Sequence, residues 1–243
     1  MDKEIGVLML TATTVGLLHT LMGPDHYIPF AAMSQARDWS KGRTFWVTTL
    51  CGIGHVASSV ILGMVGILAG VSLVKLKFIE SMRGEIAAWF LLAFGMGYLS
   101  WALVNKFRGS RHVHDHAHES EASHAHDHDH HHDHLHVHAV SQKGSLTPWL
   151  LFIIFFFGPC EPLIPLVMYP ALKSNWTAVS MVVLSFGVVT LITMQLMVFL
   201  SLSGLSAIKL KFDRHAGAIA GFSHITAGAA VFICGILIKF CGL

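Results

Sequence analysis

Six long apolar runs separated by short clusters of charge organise this chain: residues 5–33, 44–74, 86–105, 146–172, 176–208 and 216–238. Each reaches the roughly 20 residues a helix needs to cross the hydrocarbon of a bilayer. Within the six runs only Asp25 and Glu161 carry a formal charge. Continuous apolar stretches of this length lack the period-2 alternation of barrel strands. The pattern therefore predicts an all-α integral membrane protein with six transmembrane helices.

Two of the runs are interrupted in matching ways. GPDHYIPF, at 23–30, breaks the first, and GPCEPLIPL, at 158–166, breaks the fourth. Pro24 and Pro159 each remove an amide donor and crowd the carbonyl four residues back, so helices one and four are predicted to be broken there. Pro159, Pro162 and Pro165 would free the carbonyls of Phe155, Gly158 and Glu161. Freed carbonyls at membrane depth are tolerated only where protein or a water-filled cavity satisfies them.

Splitting the chain at its third loop gives three-helix repeats at 1–106 and 146–243, each opening on the Gly-Pro motif. Three crossings is an odd number, so the halves insert in opposite senses. That inverted-repeat arrangement brings the two breaks face to face near the membrane midplane. The remaining segment, 107–145, is expected to be a disordered cytoplasmic loop. Its centre, 112–138, holds 13 histidines and six acids in 27 residues, too little apolar surface to bury a core and a composition avid for transition metals.

Charge adds orientation. Loops one, three and five carry ten Lys and Arg against six on the other side, which places the His-rich loop in the cytoplasm and both termini outside, across the cell's inner membrane. The formal charge of +2 comes with no basic stripe or reader motif, so no nucleic-acid partner is expected. Cys51, Cys160, Cys234 and Cys241 form no Cys-x-x-Cys pair and supply no disulfide framework. Met1-Asp2-Lys3-Glu4 lacks a positive n-region, so the first run reads as a retained span.

Ionisable groups inside a membrane span are costly and default to function. His19, Met22 and His26 stand at i, i+3 and i+7 on one helical stripe, with Asp25 beside them. A divalent ion shared by Asp25 and Glu161, with His19, His26 and Cys160 around it, would be neutralised by two carboxylates. His55 and His224 lie among small residues that let helices approach closely; each is a candidate ligand and equally a candidate for a hydrogen bond across a helix pair. Catalytic and nucleotide-binding motifs are missing: there is no nucleophile elbow, P-loop or dinucleotide fingerprint. An enzyme is not expected, nor is a resident cofactor.

At 19–26, Gly54-His55 and 158–165 the chain resembles the nickel/cobalt transporter family, particularly its efflux branch and related urease-accessory-type membrane proteins. Five residues separate His19 from Asp25-His26, against four in the importers' signature. The resemblance implies a secondary transporter of divalent transition metals, nickel or cobalt first; the ligand types present also admit zinc and iron, and the His-rich tract expected on the cytoplasmic side puts export ahead of import. Its partners would be the metal ion and the bilayer, with a homo-oligomer left open. GPCEPLIPL is also similar to the Pro-Cys motif of the thiol/disulfide electron carriers of the disulfide-reductase and cytochrome c maturation family. Those carriers need a cysteine in each half, and here the counterpart of Cys160 is Asp25.

Overall fold

The computed structural model describes residues 2–109, 146–212 and 219–241; the His-rich tract at 112–138, Cys241's side chain and His215 lie outside what is described. Every element among the described residues is helical: α1 (Asp2–Met22), a 3-10 turn (Pro24–His26), α2 (Ile28–Ala36), α3 (Lys41–Leu68), α4 (Leu73–Gly109), α5 (Thr147–Phe157), α6 (Leu163–Leu172), α7 (Trp176–Phe212) and α8 (Ile219–Cys241). Four stretches are long and apolar enough to cross a membrane: Lys3–Met22, Lys41–Leu68, Leu73–Phe107 and Trp176–Gly204. Shorter apolar helices occupy Thr147–Phe157, Leu163–Leu172 and His224–Phe240.

Outward faces carry large apolar side chains, among them Leu10, Leu68, Phe78, Leu184 and Ile192. Contiguous surfaces of this kind are untenable in water and suit lipid, so the helices describe a membrane protein.

Both breaks appear where proline demands them. α1 stops at Met22, with Gly23 N–H donating to the His19 carbonyl, and the chain turns through Pro24–His26 before α2 begins. α5 stops at Phe157, and α6 begins at Leu163. Pro165 falls in the first turn of α6, where a missing N–H does little harm, and the helix runs through it.

The sequence placed 75–85 in a loop, but α4 starts at Leu73 and carries this stretch as helix. No proline interrupts 73–109, and two of the charges find partners inside the fold: buried Glu80 pairs with Arg83. Glu85 pairs with Lys239 of α8.

α4 lies along α8 and α1 along α7, while α3 packs on α5, α6 and α7, and α2 on α7 and α8. One apolar cluster gathers Phe30, Met33, Leu91, Leu151, Phe155, Met194 and Val231. A second gathers Ala12, Val56, Cys160, Leu163, Val182 and Phe186. Phe155 and Phe186, one from each cluster, both lie beside imidazole rings.

Candidate metal centre

Three histidines from separate elements meet in the interior. His19 comes from the last turn of α1, His26 from the 3-10 turn and His55 from the middle of α3. One ring nitrogen from each can be chosen so that all three lie within 4.8 Å of one another. They border a chamber of about 420 Å³ that is otherwise mostly apolar, lined by Asp25, Leu91, Phe155 and Pro159 among others.

Hydrogen bonds assign the tautomers of two rings. His26 Nδ1 lies 3.1 Å from the Gly23 carbonyl and 3.0 Å from Asp25 Oδ1. Both oxygens only accept, so Nδ1–H is the donor. His55 Nδ1 lies 3.3 Å from the Phe155 carbonyl and donates in the same way. In a neutral imidazole with Nδ1 protonated, Nε2 is a lone-pair acceptor. The Nε2 atoms of His26 and His55 nevertheless face each other at 3.4 Å, and His19 Nε2 is buried with no partner. Two lone pairs at that separation repel unless a proton or a metal cation sits between them. Neutral imidazole is the commonest biological metal ligand.

The glycine of each break is what allows this approach. A Cβ on Gly23 would sit 2.5 Å from His26 Nδ1, and one on Gly158 would sit 3.1 Å from His55 Nδ1. Pro159 contributes through its missing amide: an unbroken helix would bond the Phe155 carbonyl to residue 159, whereas here that oxygen accepts from Gly158 N–H and from His55.

Asp25, with its side chain 28% exposed, meets His26 on the opposite side of the ring from His55. Such a partner orients the ring, fixes its tautomer and raises its basicity.

The remaining candidates are elsewhere. Glu161, expected opposite Asp25, is exposed and does not line the chamber, which corrects the expectation that two carboxylates share one ion. The chain is non-helical at 159–162, and the turn there buries Cys160, whose amide donates to Glu80, while its neighbour Glu161 faces outward. Cys160 packs in the second apolar cluster rather than in the chamber, and like Cys51 and Cys234 it is an unpaired, buried thiol. His224 hydrogen-bonds Tyr98 Oη at 2.8 Å, away from the other three rings. Lys173 pairs with Glu4 across the gap between α6 and α1, and that hydrogen bond raises the pKa of its ammonium.

Two residues beside the site escaped the sequence reading. Glu80 is fully buried, accepting from the Ser59 hydroxyl and, at 2.8 Å, from the Cys160 amide. Arg83 binds Glu80 and donates to Ser58 Oγ at 2.7 Å and to the Phe156 carbonyl at 2.8 Å. The available signal was their i, i+3 spacing, which is that of an ion pair on one helical face.

No protein-family model, no curated protein and no solved structure matches this chain.

Proposed function

We propose that this chain is a secondary permease for divalent transition-metal ions, with His19, His26 and His55 as its ion ligands and Asp25 as the carboxylate behind them. The observation that carries this reading is the pair of Nε2 atoms facing each other at 3.4 Å with both Nδ1 protons already committed. A tetrahedral ion with metal–nitrogen bonds of about 2.0–2.1 Å spans ligand pairs about 3.3 Å apart. Square-planar coordination at similar bond lengths needs adjacent ligands at about 2.9 Å. The 3.4 Å edge between His26 and His55 lies close to the tetrahedral value, a geometry that cobalt(II) and zinc(II) take readily, and the third nitrogen, within 4.8 Å of these two, would close in on binding. The chamber side of the three rings leaves a coordination position open to water, and a transported ion must be able to leave its site.

The same reading takes the fold as six crossings in two inverted three-helix repeats. Exchanging the halves maps α1–α2 onto α5–α6, α3 onto α7 and α4 onto α8. Under that exchange α1 on α7 answers α5 on α3, α2 on α7 answers α6 on α3, and α2 on α8 answers α6 on α4. The pairs α3–α7 and α4–α8 map onto themselves, as elements on a two-fold axis do.

Local details correspond as well. After α2 comes Asp38 at φ 47° and after α6 comes Ser174 at φ 54°, a left-handed conformation uncommon outside glycine. The next residue in each half closes a wide turn, Trp39 N–H to the Ser34 carbonyl and Asn175 N–H to the Pro170 carbonyl. Ser40 and Asn175 then cap α3 and α7 by accepting from the amide three residues on.

Orientation follows from the Lys and Arg bias, which puts the His-rich segment at 107–145 on the cytoplasmic face of the inner membrane. There it would concentrate ions for export. With no nucleotide motif in the sequence, an ion gradient or a partner supplies the driving force.

Reconstitution into proteoliposomes tests the function. Cobalt and zinc are expected to cross without added nucleotide, nickel more slowly; failure of every ion in a cobalt, zinc, nickel and iron panel, in both directions and with folded protein, overturns the permease. Asp25→Asn keeps an oxygen for His26 Nδ1–H but removes the charge. Its expected effect is a loss of metal affinity in the roughly 10- to 100-fold range of outer-shell substitutions, measured as a shift in the cobalt concentration that gives half-maximal transport.

A further inference from the structure

A continuous helix through the second break would carry a hydrogen bond from the Cys160 amide to the Phe156 carbonyl, four residues back. Both groups exist, since neither residue is proline, yet they do not bond each other. Glu80 Oε1 takes the amide at 2.8 Å and Arg83 Nη2 takes the carbonyl at 2.8 Å, while Arg83 Nη1 joins Glu80 Oε2. The ion pair of α4 is thus inserted into the missing rung of the α5–α6 ladder. Each half of the lost hydrogen bond is replaced by a charge-assisted one, which is the stronger kind.

The inserted pair is anchored on its other side to α3. Glu80 accepts from the Ser59 hydroxyl and Arg83 donates to Ser58 Oγ. Ser58 and Ser59 follow His55 by one helical turn, and Ser58 Oγ itself donates to the His55 carbonyl at 2.9 Å. Phe155, whose carbonyl accepts from His55 Nδ1, directly precedes Phe156, whose carbonyl accepts from Arg83. Two chains of contacts therefore run from the ion pair to His55, one along α3 and one along the end of α5. Neither Glu80 nor Arg83 borders the chamber.

We propose that Glu80 and Arg83 are positioning residues for the ion site: by holding the α5–α6 break open they present the Phe155 carbonyl to His55, fixing the tautomer and placement that turn its Nε2 toward His26. This rests on the ion-site reading above and assigns that site a third element, α4, which contributes no ligand.

The experiment is a cobalt(II) titration of the full-length protein in detergent, followed by visible absorption. Cobalt held by the loop histidines is subtracted with the His26→Ala/His55→Ala variant, which retains the loop. The Glu80→Gln/Arg83→Gln variant removes both charges together, so no lone buried charge is left behind. Its chamber affinity is expected to fall roughly 10- to 100-fold, and the ligand-field band of the bound ion should weaken and shift as an imidazole is replaced by water.

Arg83→Lys keeps the charge opposite Glu80 but lacks the fork that also reaches Ser58 and Phe156. It is expected to fall between the double variant and the wild type in both affinity and band intensity. A merely structural pair would lower thermal stability while leaving affinity and band unchanged, and that result overturns the proposal. If the double variant does not fold, Arg83→Lys decides alone: wild-type affinity and band overturn the proposal, and a weakened, shifted band supports it. Should the wild type show no cobalt band beyond the His26→Ala/His55→Ala background, the ion site itself fails, before any α4 variant is made.

Discussion

The His26→Ala/His55→Ala protein is expected to stay folded, bind no cobalt in its chamber and move none across a bilayer. Two of three nitrogen ligands disappear, so the loss should exceed the roughly 10- to 100-fold typical of an outer-shell partner. Both rings are buried, and truncating them opens space, which ordinarily destabilises. Against that, the substitution removes two nitrogens held face to face at 3.4 Å with their other protons committed elsewhere. The metal-free variant should therefore melt within a few degrees of the metal-free wild type, as expected where a site is maintained at some expense to stability.

The informative comparison is thermal unfolding with and without cobalt. A ligand present at a hundred times its Kd stabilises the folded state by about 2.7 kcal/mol. The wild type should show a cobalt-dependent rise in Tm that the variant lacks. An equal rise in both proteins would assign the stabilisation to histidines outside the chamber and sink the three-histidine site.

Gly95→Ala is expected to be the most damaging single-methyl change in the membrane core. A Cβ there would lie 2.5 Å from the Phe232 nitrogen and 2.7 Å from its Cα, and the neighbouring atoms are backbone of α8. Backbone cannot swing aside as a side-chain tip can, so the two helices must separate along their contact. Gly228 and Gly235 on α8 approach the α4 backbone at Leu99 and Leu92 almost as closely, at 2.7 Å and 2.9 Å. The whole α4–α8 pair is thus set at a spacing only small residues permit, the main device for helix association where lipid removes the hydrophobic drive.

Overpacking of this kind costs about 3 kcal/mol. Gly97→Ala is the internal control: two residues away on the same helix, its Cβ would meet nothing within 4 Å. A large fall in Tm for Gly95→Ala beside an unchanged Gly97→Ala supports the close crossing; equal behaviour of the two would contradict it. Because α4 also carries Glu80, Arg83 and the chamber-lining Leu91, the Gly95 variant should lose cobalt binding along with stability.

The elements that were legible in the sequence are those governed by local chemistry. The apolar runs marked α1, α3 and α7, and the Gly-Pro pairs marked both helix breaks, because a missing proline amide acts on a carbonyl only four residues away. His19 and His26 do meet, with ring centroids 4.8 Å apart, but across the break and not along one helical stripe, because α1 ends at Met22 and His26 lies in the 3-10 turn beyond Gly23. The start of α4 was not legible: polar residues at 75–85 look like loop when no partner is in view, and the partners of Glu80 and Glu85 are a neighbouring turn and distant helices.

By itself, then, the sequence determined that this is a helical chain with long apolar stretches, where two of its helices must break and which ionisable groups those breaks expose. Tertiary structure alone decided which of these groups meet. His55 reaches His26 across 29 residues and the Phe155 carbonyl across 100, while Glu161, adjacent to buried Cys160, faces outward. The physical reason is that the path of the chain through the two non-helical breaks and the packing of α3 against them set which titratable groups enter the chamber, and neither is contained in the spacing of residues along a single segment.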